Sequence, residues 1–184
     1  MSAELYSDCY PDKTSIDKMT SKLITFLLIS VFLAGVTFAF NQPSYPKISE
    51  KLIFQRIDGS EQTMQELKGK PLLVTFWSPN CALCLQEVSQ LNQLYAKYQG
   101  GEKFELLALS MYYDRPDWVI QSSANLNMQY PVYFDLQKKL SHAFGNIVAT
   151  PTSFLLNASG EIIYQHAGRI EFDIIDQKLK QLIG

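Results

Sequence analysis

The sequence predicts an α/β protein in which a mixed central sheet is flanked by helices. Beyond residue 50, short apolar runs alternate with amphipathic segments, an order that favours parallel strands joined by helices. The chain then ends in two runs separated by a turn at residues 157–160 and followed by an amphipathic helix, and such a hairpin adds antiparallel strands. At 184 residues, 47% of them hydrophobic, the chain can bury one proper domain core.

Local patterns place the elements in order. Apolar or alternating runs closed by turn residues predict strands, and a continuous apolar run is typical of a central strand covered on both faces. The predicted strands are residues 52–57, 72–76, 104–109, 132–134, 152–156 and 161–166. Helices are predicted where apolar residues recur at helical spacing. They are residues 64–67, residues 85–98, residues 114–126 with Pro116 in the first turn, a helix capped by Asp135 with Leu136, Leu140 and Phe144 on one side, and a last helix carrying Phe172, Ile175, Leu179 and Leu182.

An apolar segment precedes this domain. Residues 23–40 contain no charged side chain, and as a helix these 18 residues would span roughly 27 Å, enough to cross a hydrocarbon core. We therefore predict a transmembrane signal-anchor here, with a short cytoplasmic segment at residues 1–22 before it. A linker with two prolines at residues 41–49 then leads to the domain at residues 50–184.

The location of the domain depends on how the apolar segment is processed. Cleavage after the small-x-small pattern at residues 37–39 would leave a soluble periplasmic protein, and Met19 could be the true start. Basic residues flank the apolar segment on both sides, so the positive-inside rule does not determine which end of the segment faces the cytoplasm. Because N-terminal signals normally export the domain behind them, we predict a single-pass protein of the cytoplasmic (inner) membrane with its domain in the periplasm or on the outer face.

A formal net charge of −2 gives no basis for binding nucleic acid.

Cys81 and Cys84 come directly after a predicted central strand and open the next helix. At the first turn of a helix, free backbone N–H groups and the helix dipole favour a negative charge, so the thiolate of Cys81 forms more easily than that of a free thiol. Cys84 lies one turn later on the apolar stripe and should be shielded. We therefore predict that Cys81 exchanges with an external disulfide and that Cys84 resolves the mixed disulfide. A stapling disulfide is the alternative, but so short a loop constrains the unfolded chain little.

Glu87 and Pro151 are further candidates. Glu87 projects onto the flank of the apolar stripe, one turn past Cys84, where a half-buried carboxylate could exchange a proton with Cys84. It could equally be an acid that complements the helix dipole near its start. The Thr150-Pro151 bond precedes a strand, and from the residues alone it is a loop proline or a cis bond that faces the cysteines.

Two motifs carry a resemblance to a known family. The run FWSPNCALCLQE at residues 76–87 resembles the active-site signature of thioredoxin-like proteins, and more narrowly that of the membrane-anchored, extracytoplasmic TlpA/ResA type. The run VATPTSFLLNASG at residues 148–160 is similar to the cis-proline strand and hairpin of that group. The resemblance spans about residues 50–184 and implies a thioredoxin-like fold.

The resemblance also implies an activity and the residues that carry it. It implies a thiol–disulfide oxidoreductase whose redox-active disulfide joins Cys81 and Cys84 and which needs no diffusible cofactor. Glu87 occupies the place of the glutamate that tunes the site in this group, and Thr150-Pro151 that of the substrate-contacting segment. Trp77 matches the tryptophan that packs near the cysteines, and with Thr150 and Pro151 it is a predicted substrate-binding residue. The alternative is that Trp77 is simply a core residue. The implied partners are exported protein thiols or disulfides, among them apocytochrome c, and a membrane electron-donor protein.

The sequence departs from the family pattern at several positions. Asn80 replaces the usual tryptophan before the first cysteine, and Thr75 stands where cytoplasmic thioredoxins have a buried acid. Ala82 and Leu83 replace the Gly-Pro of thioredoxin, so a strongly reducing potential cannot be assumed from the resemblance. A reductase is the expected activity, and a disulfide oxidase or isomerase is an alternative that shares the site.

A copper chaperone on a thioredoxin-like scaffold is the alternative from another class. Two thiolates and a histidine suit Cu(I), although chaperones of that kind favour a longer spacing between the cysteines. His142 and His166 are the only histidines, and their spacing is unlike that of compact zinc sites, so we expect both to face solvent and predict no metal site. Cys9, on the far side of the apolar segment, is expected to stay reduced and is assigned no role.

Overall fold

The computed structural model of the protein describes residues 27–30 and 47–184. Residues 27–30 are helical, but the rest of the predicted signal-anchor, the segment at residues 1–22 with Cys9, and most of the linker lie outside the described residues. Within residues 27–30 and 47–184, no helix has the length and apolar character needed to cross a membrane. The predicted signal-anchor therefore stays a prediction.

One seven-stranded sheet organises residues 47–184. The strands are β1 (Ile53–Arg56), β2 (Glu61–Thr63), β3 (Leu72–Trp77), β4 (Glu105–Ser110), β5 (Val132–Phe134), β6 (Thr152–Leu156) and β7 (Ile162–Ala167). The helices are α1 (Met64–Leu67), α2 (Ala82–Lys97), α3 (Pro116–Asn125), α4 (Lys139–Ala143) and α5 (Phe172–Ile183). The strand order is β2-β1-β5-β4-β3-β6-β7, and β3 pairs parallel with β4 and antiparallel with β6. The prediction of a mixed sheet is confirmed.

The central strands are buried on both faces. In β3, Val74 and Phe76 belong to the hydrophobic cluster that includes residues of α1 and α4. Leu73 and Trp77, which alternate with them, belong to the cluster that includes residues of α2, α3 and α5. Because successive side chains of a strand point to opposite faces, a strand covered on both sides needs an unbroken apolar run. The run at residues 72–77 meets that need at every position except Thr75, whose hydroxyl accepts a hydrogen bond from Ser153, and all six residues are buried.

Strand register gathers three connections at one edge of the sheet. Trp77, the last residue of β3, pairs with Ser110, the last residue of β4. Phe76 pairs with Thr152, the first residue of β6. The segments that leave β3 and β4 and the segment that enters β6 therefore meet at this edge, and the two cysteines and the Thr150-Pro151 bond lie on these segments.

The helix predicted after Asp135 starts later than expected. Helix α4 begins at Lys139, and Asp135 caps it from a distance, because its carboxylate accepts hydrogen bonds from the backbone N–H groups of Leu140 and Ser141, both at 2.8 Å. Leu136 lies in the intervening loop and is 50% exposed, so its predicted place on the apolar side of the helix was wrong. The loop separates Leu136 from the helical spacing that buries Leu140 and Phe144.

Helix α5 offers a matched test of core packing. Leu179 is fully buried, whereas Leu182, one turn later, is 36% exposed. We expect Leu179→Ala to lower the free energy of unfolding by about 2–5 kcal/mol, because it leaves a cavity under the sheet. Leu182→Ala should cost less than about 1 kcal/mol. Urea unfolding of the two variants measures the difference, and equal costs would contradict the described packing of α5.

Candidate functional site

The two cysteines form a disulfide at the N-terminus of α2. Cys81 is the N-cap residue of this 16-residue helix, Cys84 lies in its first turn, and the two Cα atoms are 5.2 Å apart. Cys81 is partly exposed, whereas Cys84 is 4% exposed and packs in the same hydrophobic cluster as Trp77. The pair is therefore asymmetric: a partner from solvent reaches the sulfur of Cys81 more easily than that of Cys84.

The start of α2 favours negative charge on Cys81. The backbone N–H of Cys84 donates a hydrogen bond to Cys81 Sγ, 3.1 Å away, and the first turn of the helix contains no acidic residue. When the disulfide is reduced, the same N–H group and the helix dipole can stabilise a thiolate at Cys81. A stable thiolate is both the attacking and the leaving species in disulfide exchange, so this sulfur suits the external step.

Glu87 is more deeply buried than the sequence indicates. Its projection on the helix predicts a half-buried side chain, but it is 1% exposed because the chain before α5 covers it. Its Oε1 accepts a hydrogen bond from the backbone N–H of Ile170, 2.7 Å away. Burial raises the pKa of the Glu87 carboxyl, and the Ile170 N–H and the nearby charges of Arg169 and His166 offset only part of that rise. Glu87 therefore holds a proton to higher pH than an exposed glutamate does.

The position of Glu87 on α2 connects it with Cys84. Both side chains lie on the buried face of the helix, three residues apart. Side chains at this spacing are neighbours, with Cβ atoms about 5–6 Å apart. A buried carboxyl with a raised pKa beside a buried thiol is a group that can accept and return a proton there.

The segment between β7 and α5 closes over this carboxylate. Arg169 donates a hydrogen bond of 2.8 Å from its guanidinium to Oε1 of Gln86, the residue before Glu87.

The side chain of His166 is 33% exposed, and its Nδ1 lies 3.5 Å from a carboxylate oxygen of Glu171. The expectation that His166 faces solvent is only partly met, whereas His142 is exposed as expected. Residues 27–30 and 47–184 contain no group of three or more histidine, cysteine, aspartate or glutamate residues that could hold a metal ion.

The Thr150-Pro151 peptide bond is cis. Thr150 is partly exposed and Pro151 is buried, and the Pro151 carbonyl accepts a hydrogen bond from the N–H of Gly168 at 2.8 Å. The register of β3 and β6 places this bond at the sheet edge that also carries the cysteines. Trp77 is 3% exposed, and its indole N–H has no hydrogen-bond partner within the described part of the chain. Contact of Thr150, Pro151 and Trp77 with a substrate stays a prediction.

Two polar residues near the cysteines were not among the predicted site residues. Ser78 comes immediately after β3 and is 3% exposed, and its hydroxyl donates a hydrogen bond of 2.7 Å to the carboxylate of Asp114. Asp114 lies just beyond β4 and is 9% exposed. The sequence could have indicated these two residues, because each is a polar residue that follows shortly after a buried strand. It could not indicate that they contact each other, because that depends on the register of the strands.

At position 75, the threonine is 2% exposed and its hydroxyl accepts a hydrogen bond from Ser153.

Comparison with known proteins relates the chain to redox proteins. Residues 43–179 match the family model described as Redoxin. The thiol-disulfide oxidoreductase ResA of Bacillus thuringiensis (strain Al Hakam) is 28% identical over 137 residues, which cover 74% of this chain and 77% of that protein. The thioredoxin-like protein YneN of Bacillus subtilis (strain 168) is 26% identical over 125 residues, which cover 67% of this chain and 71% of that protein.

Solved structures support the same fold. A thiol:disulfide interchange protein of the thioredoxin family from Chlorobium tepidum TLS has a TM-score of 0.67 at 23% identity, covering 77% of this chain and 99% of that chain. StoA from Bacillus subtilis has a TM-score of 0.60 at 22% identity, covering 73% of this chain and 98% of that chain. At these identities the likeness concerns the fold alone, and the prediction of a thioredoxin-like fold is confirmed.

The burial of Glu87 predicts a specific pH dependence of stability. Its pKa is raised above the ordinary value of 4.5, so the folded protein keeps this proton longer than the unfolded chain does. The free energy of unfolding therefore falls as the pH rises from about 4.5 through the raised pKa. Glu87→Gln removes this loss, and we expect the variant to gain stability over the unsubstituted protein as the pH rises. Urea unfolding of the oxidised proteins from acid to neutral pH measures the gain.

Glu66 provides a control of opposite sign. Hydrogen bonds from the Thr63 backbone N–H and hydroxyl lower the pKa of the exposed Glu66 carboxyl, so its contribution is present at neutral pH and is lost on acidification. Glu66→Gln should therefore be less stable than the unsubstituted protein at neutral pH, with the difference vanishing in acid. A stability difference for Glu87→Gln that did not change with pH would contradict the description of Glu87 as a carboxyl destabilised by burial.

Proposed function

Because the chain belongs to the Redoxin family and is a thiol–disulfide oxidoreductase of the TlpA/ResA type, we propose that it reduces disulfides of exported proteins through Cys81 and Cys84. One observation carries the proposal. The partly exposed Sγ of Cys81 caps the start of α2 and is bonded to the sulfur of a buried Cys84. This arrangement supplies one sulfur to meet a partner and a second sulfur that only the first can reach.

The first step forms a mixed disulfide. In the reduced protein, the thiolate of Cys81 attacks one sulfur of the substrate disulfide. The substrate S–S bond breaks, the other substrate sulfur leaves as a thiolate and takes up a proton from water, and a new S–S bond joins Cys81 to the substrate. The Cys84 N–H and the N-terminus of α2 lower the cost of keeping Cys81 ionised before the attack.

The second step releases the substrate. Cys84 passes its proton to the carboxylate of Glu87, and the resulting Cys84 thiolate attacks Cys81 Sγ. The mixed disulfide breaks, the second substrate thiolate leaves and is protonated, and the Cys81–Cys84 disulfide remains. Two electrons have then moved from the protein dithiol to the substrate disulfide, and Glu87 returns its proton to solvent. The burial of Glu87 and its place one helical turn from Cys84 support this role.

Substrate contact is assigned to the edge of the sheet around the cis peptide bond. The partly exposed Thr150 and the backbone around Pro151 are proposed to lie along the substrate chain next to its reacting cysteine. Trp77, packed in the cluster that contains Cys84, is proposed to support this surface from beneath. Their placement at the edge that carries the cysteines supports these assignments.

The cellular setting is part of the same proposal. We place residues 50–184 on the outer side of the cytoplasmic membrane, held by an anchor at residues 23–40 or released after its cleavage. The substrates are exported proteins with disulfides, apocytochrome c among them. Each cycle leaves a protein disulfide, so a membrane electron-donor protein with a reactive dithiol has to reduce it again by the reverse exchange. No diffusible cofactor enters the cycle.

Cysteine variants test which sulfur contacts the substrate. In a Cys9→Ser background, reduced Cys84→Ser should accumulate a stable mixed disulfide with a disulfide-containing peptide, because no second thiol can resolve it. Cys81→Ser should form no such complex, since the buried Cys84 cannot reach the peptide. Both variants should lose catalytic turnover down to the uncatalysed background. Non-reducing electrophoresis with peptide mass spectrometry identifies the trapped residue, and trapping through Cys84 instead would contradict the assignment.

The direction of electron flow has its own test. We expect the reduction potential of the Cys81/Cys84 couple to lie near that of thioredoxin, at about −270 mV, since a reductase must give up electrons readily. Equilibration with defined thiol–disulfide buffers, and then alkylation of the free thiols, measures the potential. A value near about −120 mV, as in a strong periplasmic oxidant, would show that the protein oxidises its substrates.

A further inference from the structure

A buried hydrogen bond joins the ends of the two central strands beside the cysteines. The hydroxyl of Ser78 donates to Oδ1 of Asp114 over 2.7 Å, and Oδ2 of Asp114 accepts the backbone N–H of Met111 over 3.0 Å. Ser78 is 3% exposed and Asp114 is 9% exposed, so solvent competes little with either contact. The catalytic steps described above use neither side chain.

Ser78 also holds the turn that leads into Cys81. Its hydroxyl oxygen accepts the backbone N–H of Asn80 at 3.2 Å, and its carbonyl accepts the N–H of Cys81 at 3.0 Å. Ser78 thereby closes the turn at residues 78–81 through two hydrogen bonds. Its hydroxyl also ties this turn to Asp114, in the chain that follows β4. Cys81 leaves this turn with φ −93° and ψ 100°, the extended backbone of an N-cap residue, and its sulfur accepts the N–H of Cys84.

We propose that Ser78 and Asp114 are positioning residues, whose hydrogen bond holds the Cys81 sulfur against the backbone N–H of Cys84. The proposal rests on the proposed function, in which Cys81 is the attacking residue. If the turn were free to shift, the sulfur would leave the N–H group and lose part of the field that stabilises its thiolate. The Ser78–Asp114 bond would then set how much of Cys81 is ionised at a given pH.

The contact is strong enough for this role because its acceptor is charged when Asp114 is ionised. Hydrogen bonds to ionised acceptors are about twice as strong as neutral ones. Burial raises the pKa of the Asp114 carboxyl, and the Ser78 hydroxyl and the Met111 N–H oppose that rise. The nearest cation in sequence, Arg115, is bonded to Asp117 at 2.6 Å. The Ser78 hydroxyl therefore shares with the Met111 N–H the task of stabilising this carboxylate.

A matched pair of serine variants tests the proposal. Ser78→Ala removes the hydroxyl and keeps the backbone, whereas Ser78→Thr keeps a hydroxyl. Ser141→Ala is the control, because Ser141 is fully buried and its hydroxyl also donates to a buried aspartate, Asp135, but at the start of α4. The two alanine variants lose the same kind of contact, so a merely structural effect should be similar in both. Ser78→Gly, which also lacks the hydroxyl, replaces Ser78→Ala if that variant does not fold.

The readout is the rate at which the reduced protein attacks a small aromatic disulfide, measured against pH in a Cys9→Ser background. The midpoint of this profile reports the ionisation of Cys81. We expect Ser78→Ala to move it upward by about half to one pH unit, which slows the attack roughly three- to tenfold at pH values below the midpoint. Ser78→Thr should restore the original profile, and Ser141→Ala should keep it while losing a similar amount of unfolding free energy.

Two results would overturn the proposal. A Ser78→Ala profile that coincides with the original one would show that the turn holds without the hydroxyl. An equal shift of the pH profile in Ser141→Ala would show that the loss of any buried serine–aspartate hydrogen bond shifts the midpoint, by a general loss of stability. Failure of the proposed function would appear in the unsubstituted protein and is therefore distinguishable. If the pH profile of the unsubstituted protein had its midpoint at the ordinary thiol pKa of about 8.5, Cys81 would not be an acidic thiol, and the role proposed for Ser78 and Asp114 would fail as well.

Discussion

The hydrogen bond from the Cys84 N–H to the Cys81 sulfur is the interaction on which the proposed chemistry depends. It forms because Cys81 caps α2, so that its sulfur meets a backbone donor that has no partner within the helix. The helix also turns the side chain of Cys84 into the core. One short segment thus leaves one sulfur partly exposed beside a backbone donor and buries the other. The proposed exchange needs a reactive sulfur and a shielded one.

The sheet keeps this segment in place. Strand β3 is bonded on both sides and buried on both faces, so the end of the strand at Trp77 is a fixed point from which the turn to Cys81 starts. Two buried acids flank the motif: Asp114 holds the turn before it, and Glu87 lies one helical turn after it. Backbone N–H groups satisfy one oxygen of each carboxylate. We therefore assign one acid to each cysteine: Asp114 helps to position Cys81, and Glu87 exchanges a proton with Cys84.

Much of the fold could be predicted because its signals are local. The mostly apolar run of β3, Pro116 at the first turn of α3 and the cysteines at the start of α2 are each recognisable from a few adjacent residues. The features that were misjudged or missed depend on contacts between distant parts of the chain. The depth of Glu87 depends on Ile170, 83 residues away, and the partner of Ser78 is 36 residues away across a strand pair. Even the cap of α4 depends on a loop that separates Asp135 from Leu140.

Competitive alkylation of the fully reduced protein tests the central asymmetry most directly. Limiting iodoacetamide at neutral pH, with each cysteine peptide quantified by mass spectrometry, gives the relative reactivity of the two thiols in one sample. The account predicts that Cys81 is modified first, at least about tenfold faster than Cys84, because a thiolate reacts and a buried thiol does not. Equal, slow modification of both residues would contradict it, since neither sulfur would then be prepared for exchange.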